Sequence, residues 1–298
     1  MQRTCKHGVG MILLLGILAG LLAGCGPQPT PAATAEPQPA YGGTITLAFS
    51  EDPNSLDSIL GYNIAAWQGL MNLYRGLMIY EGDRAVPDMA SGYEISADGT
   101  VYTFTLRPGI LFHNGREVEA ADFKYSLERC LDPDWASWAN YYLLSIDGAQ
   151  DVIDGVTREC RGIQVLDKYT LRFQLTAPDM TFLNVLALPN NWVVPREEVE
   201  KWGQDFGNHA VGTGPFILEE FTPGDKAVFV RNPSFFHAGQ PYVDRVIMYF
   251  GVDPSTALLR LEKGDLDILF GDMIPAEDFG RLVNDPKYED WFFREPSM

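Results

Sequence analysis

The sequence predicts a mixed α/β protein, on three observations. Short runs of apolar residues alternate with period two, as in half-buried strands. Between some of them lie stripes with a period near 3.6, as in helices. One such stripe then passes across a glycine directly into a strand-like run.

Residues 43–49 carry the first alternation, Thr44, Ile45, Thr46 and Leu47, and lead into the loop Ser50-Glu51-Asp52-Pro53-Asn54-Ser55-Leu56-Asp57. A helix is expected over residues 67–78, where Trp67, Leu70, Met71, Tyr74, Leu77 and Met78 share one face. Residues 93–106 read as a hairpin turning at Asp98-Gly99, because that pair tolerates the positive φ of a tight turn. Asn114-Gly115 makes a second turn. Ala120-Ala121-Asp122 then opens a helix with Phe123, Ser126, Leu127 and Cys130 on one face. Residues 165–175 form a strand pair about Asp167-Lys168, and strands follow at 226–231 and 246–250. Asp253-Pro254-Ser255 caps a helix bearing Leu258, Leu259 and Leu261, which Gly264 ends; residues 265–270 are expected to return as a strand. No fixed-period repeat is visible.

Composition narrows the function. The 298 residues include 22 Lys and Arg against 40 Asp and Glu, a formal charge of −18. A nucleic-acid partner is excluded as an expectation, since phosphate binding needs clustered cations. Anionic membrane surfaces are disfavoured for the same reason. At 46% hydrophobic residues the chain is too apolar for an acidic disordered tail.

Arg3 and Lys6 precede an apolar run over residues 11–23 that ends in Leu22-Ala23-Gly24-Cys25. A basic start, a short apolar stretch and small residues before a cut describe a secretory signal. With its cysteine directly after Ala-Gly, the stretch resembles a bacterial lipoprotein signal. That resemblance implies removal of residues 1–24 and acylation of Cys25, which anchors the chain to the membrane by lipid alone. Residues 25–40 are Pro-rich and nearly uncharged; at ~3.1 Å per residue they make a tether of about 45 Å. Beyond Cys5 and Cys25 the sequence holds Cys130 and Cys160. An exported protein permits a disulfide between them, the alternative being two separate buried thiols. The bond would close a loop of about 31 residues and add roughly 3.5 kcal/mol in the chain-entropy model.

Catalytic and metal signatures are missing from the sequence. His113, His209 and His237 share no ligand spacing, and there is neither a Gly-x-Ser-x-Gly elbow nor a His-Glu-x-x-His motif. Gly212-Thr213-Gly214-Pro215 reads as a rigid turn into a strand at Phe216, not a phosphate loop, because no Lys follows at the required offset. His113 reads as a hydrogen-bonded corner. Glu219 and Glu220 are neighbours on a strand and point apart. Trp135, Trp138, Tyr141 and Tyr142 crowd one connecting segment, where they either wall a small-molecule pocket or pack over a domain edge.

Two stretches carry a family resemblance. They are Leu106-Arg107-Pro108-Gly109-Ile110-Leu111-Phe112-His113-Asn114-Gly115 and Ala120-Ala121-Asp122-Phe123-Lys124-Tyr125-Ser126-Leu127-Glu128-Arg129. Val211-Gly212-Thr213-Gly214-Pro215, Arg231-Asn232-Pro233 and Leu261-Glu262-Lys263-Gly264-Asp265-Leu266-Asp267 support it. The chain resembles family 5 of the bacterial extracellular solute-binding proteins, the peptide, nickel and oligopeptide receptors of ABC importers.

The resemblance implies a periplasmic-binding-protein-like (type II) α/β fold that closes on its ligand as a hinged clamp. Residues 41–78 and 192–270 would form a discontinuous first lobe. Residues 79–191 would be the inserted subdomain, and 271–298 the start of a second lobe that is largely missing, leaving a half-site. The implied function is capture of peptides or similar small solutes outside the membrane and delivery to ABC permease subunits, by a monomer without cofactor, metal or enzymatic activity. A non-transporting sensor or adhesin of the same fold is the alternative, and a secreted hydrolase a more remote one. Tyr62, Asn63 and Trp138 match family loops that reach ligand, with hydrogen bonding and stacking as their implied roles; Leu56-Asp57 lies in the same loop. The N-terminal reading is checked by Cys25→Ser, which should abolish acyl labelling and release the protein from detergent-phase extracts of expressing cells.

Overall fold

A computed structural model describes residues 40–291 of the chain. The signal, Cys25 and nearly all of the tether lie outside those residues.

The first sheet has the order β1-β10-β9-β8. Its strands are β1 (Thr44–Ala48), β8 (Phe216–Thr222), β9 (Lys226–Arg231) and β10 (Arg245–Tyr249), with β1 parallel to β10 and the other pairs antiparallel. Helix α1 (Ile64–Leu73) buries Ala65, Leu70 and Leu73 in the same core as Leu47, Phe229 and Met248 of the sheet. Gly69 permits the helix to lie this close, since a Cβ there would come 2.5 Å from Leu56 Cδ2.

The second sheet, β4-β5-β7-β6, is wholly antiparallel. The hairpin β2 (Met78–Glu81) and β3 (Arg84–Pro87) precedes its strands β4 (Ala90–Ile95) and β5 (Val101–Leu106). Helix α2 (Ala120–Leu131) and the short α3 (Ala149–Ile153) come next, then β6 (Ile163–Asp167) and β7 (Thr170–Gln174). The Asp98-Gly99 turn forms as expected, Gly99 adopting φ +71° while Asp98 accepts from the Thr100 N–H. Tyr102, Phe104, Leu171 and Phe173 face α2 and bury with its Phe123, Leu127 and Cys130. Phe182 of α4 (Phe182–Leu186) completes an aromatic cluster, 5.2 Å from Phe173 between ring centres. Helix α5 (Arg196–Trp202) connects back to β8, and α6 (Pro254–Lys263) and α7 (Ala276–Asn284) follow β10.

The two cores meet where residues 211–215 dock against the end of α1. Gly214 N–H donates to Leu73 O (2.8 Å), and Thr213 Oγ1 accepts from Arg75 N–H (3.1 Å). Contact is close enough that a Cβ on Gly212 would sit 2.1 Å from Leu73 O. This docking explains why α1 ends at Leu73 instead of running to Met78. The turn takes the Leu73 carbonyl, and Tyr74 turns to extended geometry. The helix also begins earlier than expected, because Asn63 caps it.

Two further expectations are corrected. Residues 265–270 contribute a single parallel bridge, Leu47 to Ile268, and no strand. The Asp267 carboxylate accepts from both Thr46 N–H and Thr46 Oγ1 at 2.7 Å, taking the donor that a ladder carbonyl would use. The Cys130–Cys160 disulfide is not formed: both are buried free thiols. Cys130 Sγ lies 3.4 Å from Ser137 Oγ, whereas Cys160 Sγ donates to Asp147 O at the far end of its own loop, so each sulfur has its own polar partner.

His113 is the corner the sequence suggests. Its backbone N–H donates to Gly212 O (2.8 Å), and its Nδ1 accepts from Gly212 N–H (3.2 Å). A backbone amide can only donate, so the ring is neutral with its proton on Nε2, which donates to Gly214 O (3.1 Å). Burial lowers the imidazole from 6.5 to about 4. A ring held neutral below its unfolded value contributes stability above about pH 6.5, and this is lost as pH falls through about 4. The His113 Cε1–H resonance should therefore stay in its neutral position down to about pH 4 in an NMR titration.

Candidate functional site

The loop leaving the C-terminal end of β1 is held shut by its own side chains. Asn54 Oδ1 accepts from Tyr62 N–H (2.9 Å), and its Nδ2 donates to Leu60 O (2.8 Å). Asp52 accepts from Gly224 N–H in the β8–β9 turn at 2.9 and 3.0 Å, tying that hairpin to the same loop. Tyr62 is left at the rim with 63% of its surface exposed.

Trp138 arrives from the segment after α2. Ser137 Oγ donates to Ile59 O (2.7 Å) and Trp138 Nε1 to Gly61 O (3.3 Å), which fixes the indole beside Tyr62. Asn190 Nδ2 supports the same strip of backbone through Ser58 O and Gly61 O. The Tyr62 and Trp138 rings meet edge to face, centroids 6.4 Å apart and planes at 80°. Tyr142 continues the row 6.0 Å from Trp138. Below these rings lies an open groove of about 580 Å³, lined by Asp52, Leu60, Tyr62, Trp138, Gln204 and Phe221 among others. At the lip, Ala136 adopts a left-handed φ of +49°, unusual for a residue with a Cβ, as the chain turns from Trp135 to Ser137.

Under the groove is a buried ion pair. Arg129 Nη1 donates to Asp57 Oδ1 (2.8 Å) and Nη2 to Asp57 Oδ2, with both side chains about 1% exposed. The guanidinium stacks 3.8 Å from the Trp135 ring centre. Tyr74 OH donates nearby to Leu56 O (2.8 Å), and its phenol is raised well above the usual range by burial and then by Asp57.

The structure thus brings Tyr62 and Trp138 to one groove and gives Asn63 another task. Asn63 Oδ1 caps α1 through Ala66 N–H (2.9 Å) and its Nδ2 donates to Asp52 O (2.7 Å), so both ends of the amide hold backbone. Asp57 belongs to the ion pair and not to the groove surface. Sequence reasoning missed Arg129 and the groove residues Asp52, Gln204 and Phe221. Arg129 left one trace, a charged residue between Leu127 and Cys130 of the buried stripe; Gln204 and Phe221 left none, because they reach the groove only through the hairpin and the α5–β8 connection.

The architecture is a periplasmic-binding-protein-like α/β fold. Residues 84–298 match the model of bacterial extracellular solute-binding proteins, family 5 Middle, and the chain belongs to that family. The glutathione-binding protein GsiB of Salmonella paratyphi A is 29% identical over 82% of this chain and 45% of its own length. The dipeptide-binding protein DppE of Bacillus subtilis is 29% identical over 78% of this chain and 43% of its own. Among solved structures, the Escherichia coli murein tripeptide binding protein MppA superposes with a TM-score of 0.77 at 28% identity, covering 83% of this chain and 49% of that one. Haemophilus influenzae OppA in complex with the peptide RPPGFSPFR gives 0.76 at 27%, covering 82% and 49%. The chain spans about half the length of these relatives.

Breaking the ion pair should be costly because it strands a buried charge. Arg129→Met or Asp57→Asn alone should each cost about 3–5 kcal/mol in urea unfolding, and the Asp57→Asn/Arg129→Met double variant well under the sum.

Proposed function

We propose that the protein is the solute-capturing lipoprotein of an ABC importer. It takes up peptides or similar small solutes on the extracytoplasmic face of the cell membrane and hands them to permease subunits, as a monomer held by an acylated Cys25. The observation that carries this reading is the groove itself. It lies at the C-terminal end of β1, where open α/β sheets present ligands, and an exposed Tyr62 beside Trp138 borders it.

In this reading residues 41–78 and 192–270 are the first lobe, and 79–191 the inserted subdomain. The separate sheets and hydrophobic cores support the division. Residues 271–298 open the second lobe. The relatives' names, glutathione-binding, dipeptide-binding and murein tripeptide binding, support a short peptide as the solute.

Native mass spectrometry of the purified chain provides the test. A retained peptide of a few residues, released intact on denaturation, is the expected result. Cleavage of added peptides with no solute retained would reject the reading.

A further inference from the structure

The groove's hydrogen-bonding capacity is unevenly spent. Some side-chain donors at the groove already hold protein oxygens: Trp138 Nε1 donates its one hydrogen to Gly61 O, and Asn54 Nδ2 and Asn208 Nδ2 each spend one of two, on Leu60 O and on Asp205 Oδ1 (2.5 Å). The second amide hydrogens of Asn54 and Asn208, the Gln204 amide and the Ser55 and Tyr62 hydroxyls remain, all neutral. None of the described residues lining the groove is Lys, Arg or His, and the one charged side chain there is Asp52. Glu51, exposed next to it, adds a second negative charge at the loop. The guanidinium of Arg129 lies beneath the loop, already neutralised by Asp57 and shut off from solvent.

The aromatic row has the same sign. Tyr62, Trp138, Tyr142 and Tyr141 succeed one another at centroid spacings of 6.4, 6.0 and 4.1 Å, and Tyr62 and Tyr141 are more than half exposed. Aromatic faces carry negative potential and attract ammonium and guanidinium groups. A carboxylate placed here would meet Asp52 and the ring faces with no cation to offset them, whereas a cation would meet favourable partners on both sides.

We infer that the part of the solute held against this groove is a cationic group, the guanidinium or ammonium of a basic peptide side chain. The inference rests on the receptor reading above and names the solute class for the same groove. Asp52 supplies the charge and the Tyr62–Trp138 pair the ring faces. Because Asp52 is held by Gly224 N–H, its carboxylate is oriented before the solute arrives.

Calorimetric titration of the full chain with the tripeptides Ala-Arg-Ala, Ala-Lys-Ala and Ala-Glu-Ala tests it. The two basic peptides should bind at least about tenfold more tightly than the acidic one, and 0.5 M NaCl should shrink that ratio. Asp52→Asn should lower the ratio several-fold, and Trp138→Leu should weaken the basic peptides selectively. The salt series on the unaltered chain keeps the test decisive if either variant folds poorly. Equal affinities, or tighter binding of Ala-Glu-Ala, would overturn the cation assignment while leaving the receptor reading intact. Failure of all three peptides to bind would reject the receptor reading, and the assignment with it.

Discussion

Asp57 and Arg129 form the contact on which the rest of the molecule leans. The carboxylate comes from the loop after β1 and the guanidinium from the last turn of α2, so one pair joins the first sheet's core to the second's. Charges this deeply buried are tolerable only when every strong polar atom is matched, and here the two-pronged geometry and the Trp135 face do much of that matching. Such a pair is a poor source of net stability compared with apolar packing. Its value is positional: it admits one registry of α2 against the loop, and the loop is the floor of the groove.

The backbone above that floor is organised by side chains that stand in for missing secondary structure. Asn54, Ser137, Trp138 and Asn190 bond the carbonyls of Ser58, Ile59, Leu60 and Gly61, a stretch with no ladder partner of its own. Buried carbonyls left unpaired would each carry a desolvation penalty, so these four side chains make the loop possible at all. The consequence is a rim whose exposed rings sit on a rigid base. A solute meeting those rings, as proposed, would have less ordering entropy to offset than on a mobile loop.

A similar economy governs the junction around Gly212 and Gly214. The turn approaches α1 so closely that only hydrogen fits in place of a Cβ, and His113 holds it from the other side with both ring nitrogens. The neutral imidazole suits this role because it donates and accepts at once. Family-level motifs in this region are therefore architectural: they fasten the segment after β5 to the turn that enters the first sheet, while the groove is built by less distinctive residues nearby.

Much of the fold was legible along the chain because its cues are local. Asp98-Gly99, Asp167-Lys168 and the Asp253 and Gly264 caps act within a few residues, and the apolar periods of β5, β7 and α2 follow from which face each buries. The end of α1 was not legible, because a turn 141 residues downstream claims its last carbonyl, Gly214 N–H donating to Leu73 O. The strand expected at 265–270 failed for a comparable reason, since Asp267 bonds Thr46 across the sheet edge. Within the site, sequence alone determined that a loop and an aromatic-rich segment exist, and the family resemblance, which offered Asn63 as well, singled out Tyr62 and Trp138. Only the tertiary structure decided that these two share a groove, that Asn63 is a helix cap, that Cys130 and Cys160 stay apart, and that Asp57 points inward to Arg129. Those outcomes depend on which distant atoms compete for one donor or one charge, and no local pattern encodes that competition.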